Sequence, residues 1–238
     1  MATMTLDDLV RQLEAAFGSE LVSVVLYGSA AAGEHIAKRS DYNVLVLVRS
    51  LDLPALQREA AIARAWGEAG NPPPKTMTVD EWRASSDIFA MEYADILAHH
   101  RVLQGTPPFD GVRVAPRDLR LQLEHETMGL LLQLRQRILA AGNERKRQLD
   151  VLAGTLSAFM VVFRATLRLH GEEPSRDYEV LAGQLAARAG IDAAPFVRVI
   201  QHLRGAAKIP EQDATTVLAG YLSGAQQLVA HIDQVQPS

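Results

Sequence analysis

In the first part of the chain, some apolar segments have the pattern of buried strands and others have helical spacing. The continuous apolar and β-branched runs "LVSVVLYG" and "NVLVLV" predict two buried strands. The segment "TLDDLVRQLEAAFG" before them has helical spacing, an N-cap at Thr5 and a closing Gly18. The segment "LPALQREAAIARAWGEAG" after them predicts a second helix, with proline near its start and glycine at its end. This part of the chain therefore predicts two successive strands between two helices.

The segments that follow are shorter and less uniform. "KTMTV" predicts a strand, and the capping-box pattern from Thr78 to Glu81 predicts a short helix around Trp82. "FAMEYADIL" fits either a strand or a helix by its apolar spacing, and we expect a strand from about Ala90 to Leu97. "HRVLQG" predicts a further extended segment, and "TPPFDG" ends it.

After Pro116 the apolar spacing becomes helical throughout. One long helix carries a stripe of leucine and isoleucine: Leu119, Leu123, Leu130, Leu131, Leu134 and Ile138. Gly142 and Asn143 interrupt it, and a second long helix follows that is apolar nearly all round, which is typical of the centre of a bundle. Three shorter helical segments complete the chain. The sequence therefore predicts an α/β domain over residues 1–115 and an all-helical bundle over 116–238.

The composition narrows the possible classes of protein. Of the 238 residues, 48% are apolar and 22% charged, which is ordinary for globular domains. The chain has no cysteine, which excludes a disulfide framework, a thiolate metal site and a cysteine nucleophile. Its formal charge of −4 provides no basic field for nucleic acid. The N-terminus lacks a signal-peptide pattern, and the apolar runs fall short of the roughly 20 residues of a membrane span. We expect a soluble bacterial protein of the cytoplasm.

The turn between the first two strands carries the residues that point to chemistry. Gly28 lets the backbone approach a ligand closely, and Ser29 offers a hydroxyl and an amide at a helix start, which suits a phosphate. Asp41 leads the second strand of the same sheet and could bind a divalent cation that bridges this phosphate. Arg39 lies close to Asp41 in sequence and is a candidate phosphate contact.

Other charged groups carry weaker signals. The basic run "RQRILAAGNERKR" could contact a triphosphate or an RNA backbone, but we interpret it as a solvated face at the helix ends. His99 and His100 are adjacent, which gives a poor chelate on a strand or a helix, and no cysteine is available. We therefore expect no zinc site.

The stretch "YGSAAAGEHIAKRSDYNVLVLV" resembles the Gly-Ser…Asp-x-Asp signature of the polymerase-β-like nucleotidyltransferase superfamily, which includes kanamycin nucleotidyltransferase and the minimal nucleotidyltransferases of toxin–antitoxin modules. "DIFAMEYADILAHHRVLQG" is similar to a segment of predicted bacterial nucleotidyltransferases. The resemblance in sequence covers the first 115 residues. Over the helical half it is limited to the presence of a helical C-terminal region. It implies an α+β fold: a nucleotidyltransferase domain with a mixed sheet, followed by a helical bundle that closes the active-site cleft.

The resemblance also implies a reaction and a set of residues. A nucleoside monophosphate would pass from a nucleoside triphosphate to a hydroxyl of a small molecule, protein or RNA end, with Mg²⁺ or Mn²⁺. Gly28 and Ser29 match the phosphate-binding turn, Asp41 matches the first metal carboxylate, and Asn43 takes the place of the second. Two residues could supply the third carboxylate: Asp95 is the first choice and Glu92 the second, and in the expected strand the two would point to opposite faces.

Asn43 leaves the activity of the chain open. An amide oxygen can coordinate Mg²⁺ but brings no charge, which weakens a site for a hard cation. The sequence is therefore compatible with an active nucleotidyltransferase or with an inactive relative that binds nucleotide or a partner. One half of a toxin–antitoxin pair is a third possibility. The long apolar helices could also form a homodimer interface.

Overall fold

The computed structural model describes residues 4–28, 30–31 and 42–236. The chain forms two compact units, Met1–Val114 and Ala115–Ser238. In the first unit the elements are α1 (Leu6–Phe17), a 3₁₀ turn (Gly18–Glu20), β1 (Leu21–Tyr27), β2 (Asn43–Val48), α2 (Leu53–Glu68), β3 (Lys75–Thr78), α3 (Val79–Ala84), α4 (Ala90–Ala98) and β4 (His100–Gly105). The four strands lie in the order β3-β2-β1-β4. The sheet is mixed, because β1 is antiparallel to β2 and β4 whereas β2 and β3 are parallel.

Helices cover both faces of this sheet. Val24 and Leu26 of β1 pack, with the even-numbered valines of β2, against α1 and α2, whose buried residues include Leu13 and Trp66. Val25, in between, packs on the opposite face with Leu45 and Leu47 of β2 against Trp82, Tyr93 and Ile96 of α3 and α4. Because successive strand residues point to opposite faces, a strand buried on both sides is a continuous apolar run. This explains why the runs in β1 and β2 show no polar alternation.

The capping signals in the sequence are present in the structure. The Thr5 hydroxyl accepts from the amide of Asp8, and the Asp8 carboxylate accepts from the amide of Thr5. Thr78 and Glu81 make the same reciprocal pair at the start of α3. Each cap satisfies amides that have no partner in the first turn of a helix, which stabilises it by about 1 kcal/mol. The predicted starts of both helices are therefore confirmed.

The strand expected from Ala90 to Leu97 is wrong, because this segment is helix α4. Three of its buried residues, Ala90, Tyr93 and Ile96, are spaced three apart and lie on one side of the helix. The Tyr93 ring stacks on Trp82 at 4.1 Å between centroids, and its hydroxyl donates to the Trp82 carbonyl at 2.7 Å. This packing fixes the helix where the short apolar run alone fits either structure. The extended segment predicted at "HRVLQG" is confirmed as β4.

The second unit is helical over the residues that the structure describes. Its helices are α5 (Pro116–Ala141), α6 (Arg145–Leu169), α7 (Tyr178–Ala189), α8 (Ala194–Arg204) and α9 (Ala214–Gln234), with a 3₁₀ turn at Glu211–Asp213. The central helix α6 packs against α5, α7, α8 and α9. At its middle lies a cluster of edge-to-face and tilted aromatic rings: Phe159, Phe163, Phe196 and Tyr221. The prediction of a central helix that is apolar nearly all round is confirmed.

Helix α6 is also long and apolar enough, by length and composition, to cross a membrane. More than half of its most apolar stretch, 56%, is buried inside the protein. A core helix that is contacted from several sides has the same composition as a membrane span. Its packing in the second unit accounts for this apolar character without a bilayer.

Two histidines join the end of α6 to α9. The Nε2 atoms of His170 and His231 lie 2.8 Å apart, so one ring donates to the other. Arg188 of α7 faces the same pair, with a guanidinium nitrogen 3.3 Å from Nδ1 of His170, and it also pairs with Glu172. Burial, and then the nearby positive charge of Arg188, lower the pKa of both histidines below 6.5. The folded protein therefore favours the neutral rings.

We expect the second unit to lose stability on acidification because of this pair. The lowered pKa values mean that the unfolded chain takes up protons first as the pH falls through about 6.5, so the stabilisation is present above that pH and is lost below it. Urea unfolding at a series of pH values measures the effect. His231→Gln should flatten the pH dependence, whereas His125→Gln, at an exposed site, should not. An unchanged slope in His231→Gln would contradict this account.

Candidate functional site

Three strand ends meet at one edge of the sheet in the first unit. Tyr27, the last residue of β1, lies opposite Asn43, the first residue of β2. On its other side Tyr27 lies opposite His100, the first residue of β4. The strand alternation places Asn43 on the same face as Leu45, which is the face covered by α3 and α4. Residues from β1, β2, β4 and α4 can therefore act together at this edge.

Gly28 makes the turn that leaves this edge. Its φ is +76°, a left-handed conformation that side chains with a Cβ adopt at a cost. Its amide donates to the carbonyl of His99 at 3.1 Å, and its carbonyl accepts from the amide of Ala31 at 3.1 Å. A Cβ on Gly28 would lie 3.5 Å from the side-chain amide of Asn43. The amide of Gly28 is therefore engaged within the turn. The prediction for this residue stays that its lack of a side chain lets the backbone approach a phosphate closely.

Ser29, Arg39 and Asp41 lie outside the described residues. Of the predicted metal ligands, Asn43, Glu92 and Asp95 are described. Asn43 is half-buried at the start of β2, Asp95 is half-buried on α4, and Glu92 is exposed on the same helix. No group of three or more histidine, aspartate or glutamate side chains that could hold a metal ion occurs among residues 4–28, 30–31 and 42–236.

The expectation that Glu92 and Asp95 point to opposite faces is wrong. The segment is a helix, and residues three apart on a helix lie on the same side. The electrostatics of Tyr27 show the same arrangement. Its pKa is raised to about 12, mainly by burial of the phenol and further by the negative charges of Glu92 and Asp95. Both carboxylates therefore act on the end of β1, and the phenol stays neutral at physiological pH.

Lys75 is a residue of this edge that the sequence reasoning missed. It is the first residue of β3 and lies opposite Leu45 of β2. Its ammonium group is 2.7 Å from a carboxylate oxygen of Glu92 and lies over the Phe89 ring, 5.8 Å from the centroid. Only its place at the start of "KTMTV", directly after three prolines, could have drawn attention to it. The ion pair therefore engages the Glu92 carboxylate.

Beside this ion pair lies a cavity of about 240 Å³. Its walls are mostly apolar and include Met77, Trp82 and Phe89, and Lys75 and Glu92 lie at its polar side. Trp82 and Tyr93, whose stacked rings form the base of this region, are buried. The charged edge of the sheet is therefore next to an apolar pocket.

No protein-family model matches the chain, and no curated protein matches it. The crystal structure of spectinomycin adenyltransferase AAD(9) from Enterococcus faecialis, with ATP and spectinomycin, is similar to the chain, with a TM-score of 0.57. The match covers 96% of this chain and 98% of that one at 10% sequence identity. The chain has a nucleotidyltransferase-like fold. The predicted fold class, an α+β domain with a mixed sheet followed by helices, is confirmed.

The crystal structure of a toxin–antitoxin with AMP-PNP shows a weaker likeness. Its sequence identity is 20% and its TM-score 0.31, over 44% of this chain and 78% of that one. A TM-score of this size is too low to support an argument about fold or function.

We expect Gly28→Ala to destabilise the first unit by about 1 kcal/mol, because a Cβ disfavours the left-handed backbone. The nearest atom, 3.5 Å away on Asn43, adds no clash, so the cost comes from the backbone alone. Denaturant unfolding measures it. Gly67→Ala in α2 is the matched control, because its Cβ would enter open space in a helix and should be neutral or stabilising. Equal stability of Gly28→Ala and wild type would contradict the described turn.

We expect Asp95→Asn to lower the pKa of Tyr27, because it removes one of the two charges that raise it. The pKa should stay above the ordinary value near 10, since burial is the larger cause. Tyrosine ring-carbon NMR titration gives the value, with Tyr27→Phe to assign the signal. Asp7→Asn in α1 is the control. A Tyr27 pKa that does not respond to Asp95→Asn would remove Asp95 from this edge.

Proposed function

We propose that this chain is a nucleotidyltransferase. It transfers a nucleoside monophosphate from a nucleoside triphosphate to a hydroxyl group, with a divalent cation, and releases pyrophosphate. The observation that supports this most is the likeness to an adenyltransferase whose structure holds ATP, over nearly the whole length of both chains. The charged edge of the sheet, at the end of β1, supplies the place for the reaction.

The donor groups at this edge fit a hard cation. Carboxylate and amide oxygens are the ligands that Mg²⁺ and Mn²⁺ prefer. Burial is the main cause of the raised pKa of Tyr27, and the negative charges of Glu92 and Asp95 at the same place raise it further. We propose Asp41, Asn43 and Asp95 as the residues that would hold the ion, which when bound would neutralise charge on the triphosphate. Glu92 is the weaker candidate, because its side chain is exposed whereas Asp95 is half-buried.

The remaining roles follow from the chemistry of the transfer. The acceptor oxygen attacks the α-phosphorus, the bond to the β-phosphate oxygen breaks, and pyrophosphate leaves. We propose that Asp95 takes the proton of the acceptor hydroxyl, since a half-buried carboxylate suits a general base. The Gly28-Ser29 turn and Arg39 contact the phosphates in this proposal. The turnover would take place in the cytoplasm.

The acceptor that we favour is a small molecule with a hydroxyl group. The adenyltransferase with the similar fold was solved with a small molecule, spectinomycin. The apolar cavity beside Lys75 and Glu92 is about 240 Å³, which would accommodate part of a small ligand rather than a macromolecule. A protein or RNA acceptor is therefore the less supported choice.

Asn43 favours one alternative function, a protein that binds nucleotide without transferring it. The amide supplies no charge at the start of β2, where a second carboxylate would hold the cation more strongly. Nucleotide would then stabilise the fold with or without a divalent ion, because any ligand stabilises the state that it binds. Thermal shift with ATP, in the presence of Mg²⁺ or of a chelator, separates the two functions.

The test of the main proposal uses each α-³²P-labelled nucleoside triphosphate with Mg²⁺ or Mn²⁺, and spectinomycin with related hydroxyl compounds as acceptors. We expect Asp41→Ala and Asp95→Asn each to reduce transfer by about 100-fold or more, because a ligand or the base is lost. Glu92→Gln should cost less than about tenfold because the ion pair with Lys75 already engages this carboxylate. Asn43→Asp should raise the turnover and the metal affinity.

Two results would contradict the proposal. One is nucleotide stabilisation that does not depend on divalent ions together with no transfer in Asn43→Asp, which would support the binding protein. The other is transfer that survives Asp41→Ala, which would place the reaction elsewhere in the chain. Circular dichroism of every variant shows whether a loss of activity comes from a loss of fold.

A further inference from the structure

Helix α5 presents a row of exposed apolar side chains. Leu121 is 63% exposed, Met128 43%, Leu132 49% and Leu139 81%. The opposite side of the helix carries the buried leucines that face α6 and α9. A solvated helix face normally carries polar residues, so four large apolar side chains on one face call for an explanation.

These four residues lie on one straight line along the helix. The intervals are 7, 4 and 7 residues. At 100° per residue, all four fall within about 20° of a common direction, and the row spans about 27 Å. We call this row the α5 stripe. Its regularity distinguishes it from apolar residues that are scattered singly over a surface.

The intervals of the α5 stripe read the same in both directions. The midpoint is residue 130, so an antiparallel copy places Leu121 opposite Leu139 and Met128 opposite Leu132. A twofold axis at residue 130 relates the two copies, and the same patch serves both. Each apolar side chain then meets an apolar partner. A different protein bound to this surface would give no reason for the intervals to be symmetric about residue 130.

The charges beside the α5 stripe fit the same arrangement. Glu124 and Arg135 lie on one flank of the stripe, and their numbers place them within one residue of opposite positions around residue 130. In an antiparallel helix pair the same flanks face each other, so Glu124 of one copy meets Arg135 of the other, twice per dimer. Within one chain the Glu124 carboxylate lies 3.3 Å from Arg120, and 38% of the Glu124 side chain remains exposed. A parallel pair offers Glu124 and Arg135 no such partners.

A groove of about 440 Å³ between α5 and α9 runs along this flank. Glu124, Met128 and Arg135 line it on the α5 side, and Val229 lines it on α9. Long side chains of a second copy could lie in this groove with their aliphatic parts against Met128 and Val229. The groove thus extends the surface beyond the stripe itself.

We propose that the chain forms a homodimer through antiparallel pairing of the α5 stripe with that of a second copy. A contact of one helix from each side is small for a protein interface, so the dimer should dissociate in the micromolar range. The proposal does not depend on nucleotidyl transfer. It rests only on the second unit.

Analytical ultracentrifugation over a concentration series tests the dimer. We expect wild type to dimerise reversibly, and Leu132→Glu to weaken the dimer at least tenfold because it places a charge opposite Met128 twice per dimer. Leu203→Glu on α8 is the matched control, since Leu203 is 48% exposed and lies off the stripe. Circular dichroism checks that both variants remain folded. A monomeric wild type at concentrations of about 100 μM, or a dimer in Leu132→Glu as stable as wild type, would overturn the proposal.

Charge exchange tests the orientation. Glu124→Arg and Arg135→Glu should each weaken the dimer, and the double variant should restore it, because the pair is re-formed with opposite sign. The chain has no cysteine, so single introduced cysteines report contacts directly. Leu121→Cys mixed with Leu139→Cys should cross-link to a mixed dimer. Efficient cross-linking of either variant to itself would indicate a parallel pair and overturn the proposal. The proposal would also be overturned if monomers bound anionic lipid vesicles and Leu132→Glu abolished this binding.

Discussion

The burial of β1 on both faces is the constraint on which the first unit depends. Val24 and Leu26 belong to one core and Val25 to the other, and β1 is hydrogen-bonded to β2 on one side and β4 on the other. A shift of one residue would exchange the two faces and leave both cores mispacked. The pairing with β2 therefore keeps one register from Ser23 to Tyr27, at the end of the strand. The positions of Gly28 and Asn43 follow from this register.

The same constraint sets the electrostatics of the candidate site. Tyr27 is half-buried on the face of the sheet that α3 and α4 cover, and this burial raises the pKa of its phenol. The charge at this edge comes from α4, whose place is set by the stacking of Tyr93 on Trp82. Lys75, the first residue of β3, balances the negative charge of Glu92 by an ion pair. The packing of an aromatic pair thus determines where the carboxylates lie, and the sheet brings Lys75 to Glu92.

Sequence reasoning succeeded where the local pattern and the packing agree. β1 and β2 were predictable because both are apolar on two faces, and the starts of α1 and α3 because Thr5 and Thr78 carry reciprocal caps. It failed at α4, where a nine-residue segment is short enough to fit both periods and a contact with Trp82 decides. That error also misjudged the sides on which Glu92 and Asp95 lie.

The ion pair of the site could not be predicted for a related reason. Lys75 and Glu92 are 17 residues apart in sequence. They meet only because β3 is an outer strand beside β2 and because α4 packs on the sheet next to it. Such a contact depends on topology, and no local pattern reports it. For Ser29, Arg39 and Asp41 the sequence motif remains the basis of the assignment, since the described residues do not include them.

The number of charged groups at this edge limits how many cations the proposed site could hold. Of the three ligands proposed for the cation, Asp41, Asn43 and Asp95, the two aspartates carry a charge and Asn43 is neutral. Two close carboxylates can hold one divalent ion, but a second ion beside it would be repelled and needs additional negative charge. A triphosphate brings its own charge and can chelate an ion with its phosphate oxygens. The proposed site is therefore suited to a cation that arrives with the nucleotide rather than to one held firmly beforehand.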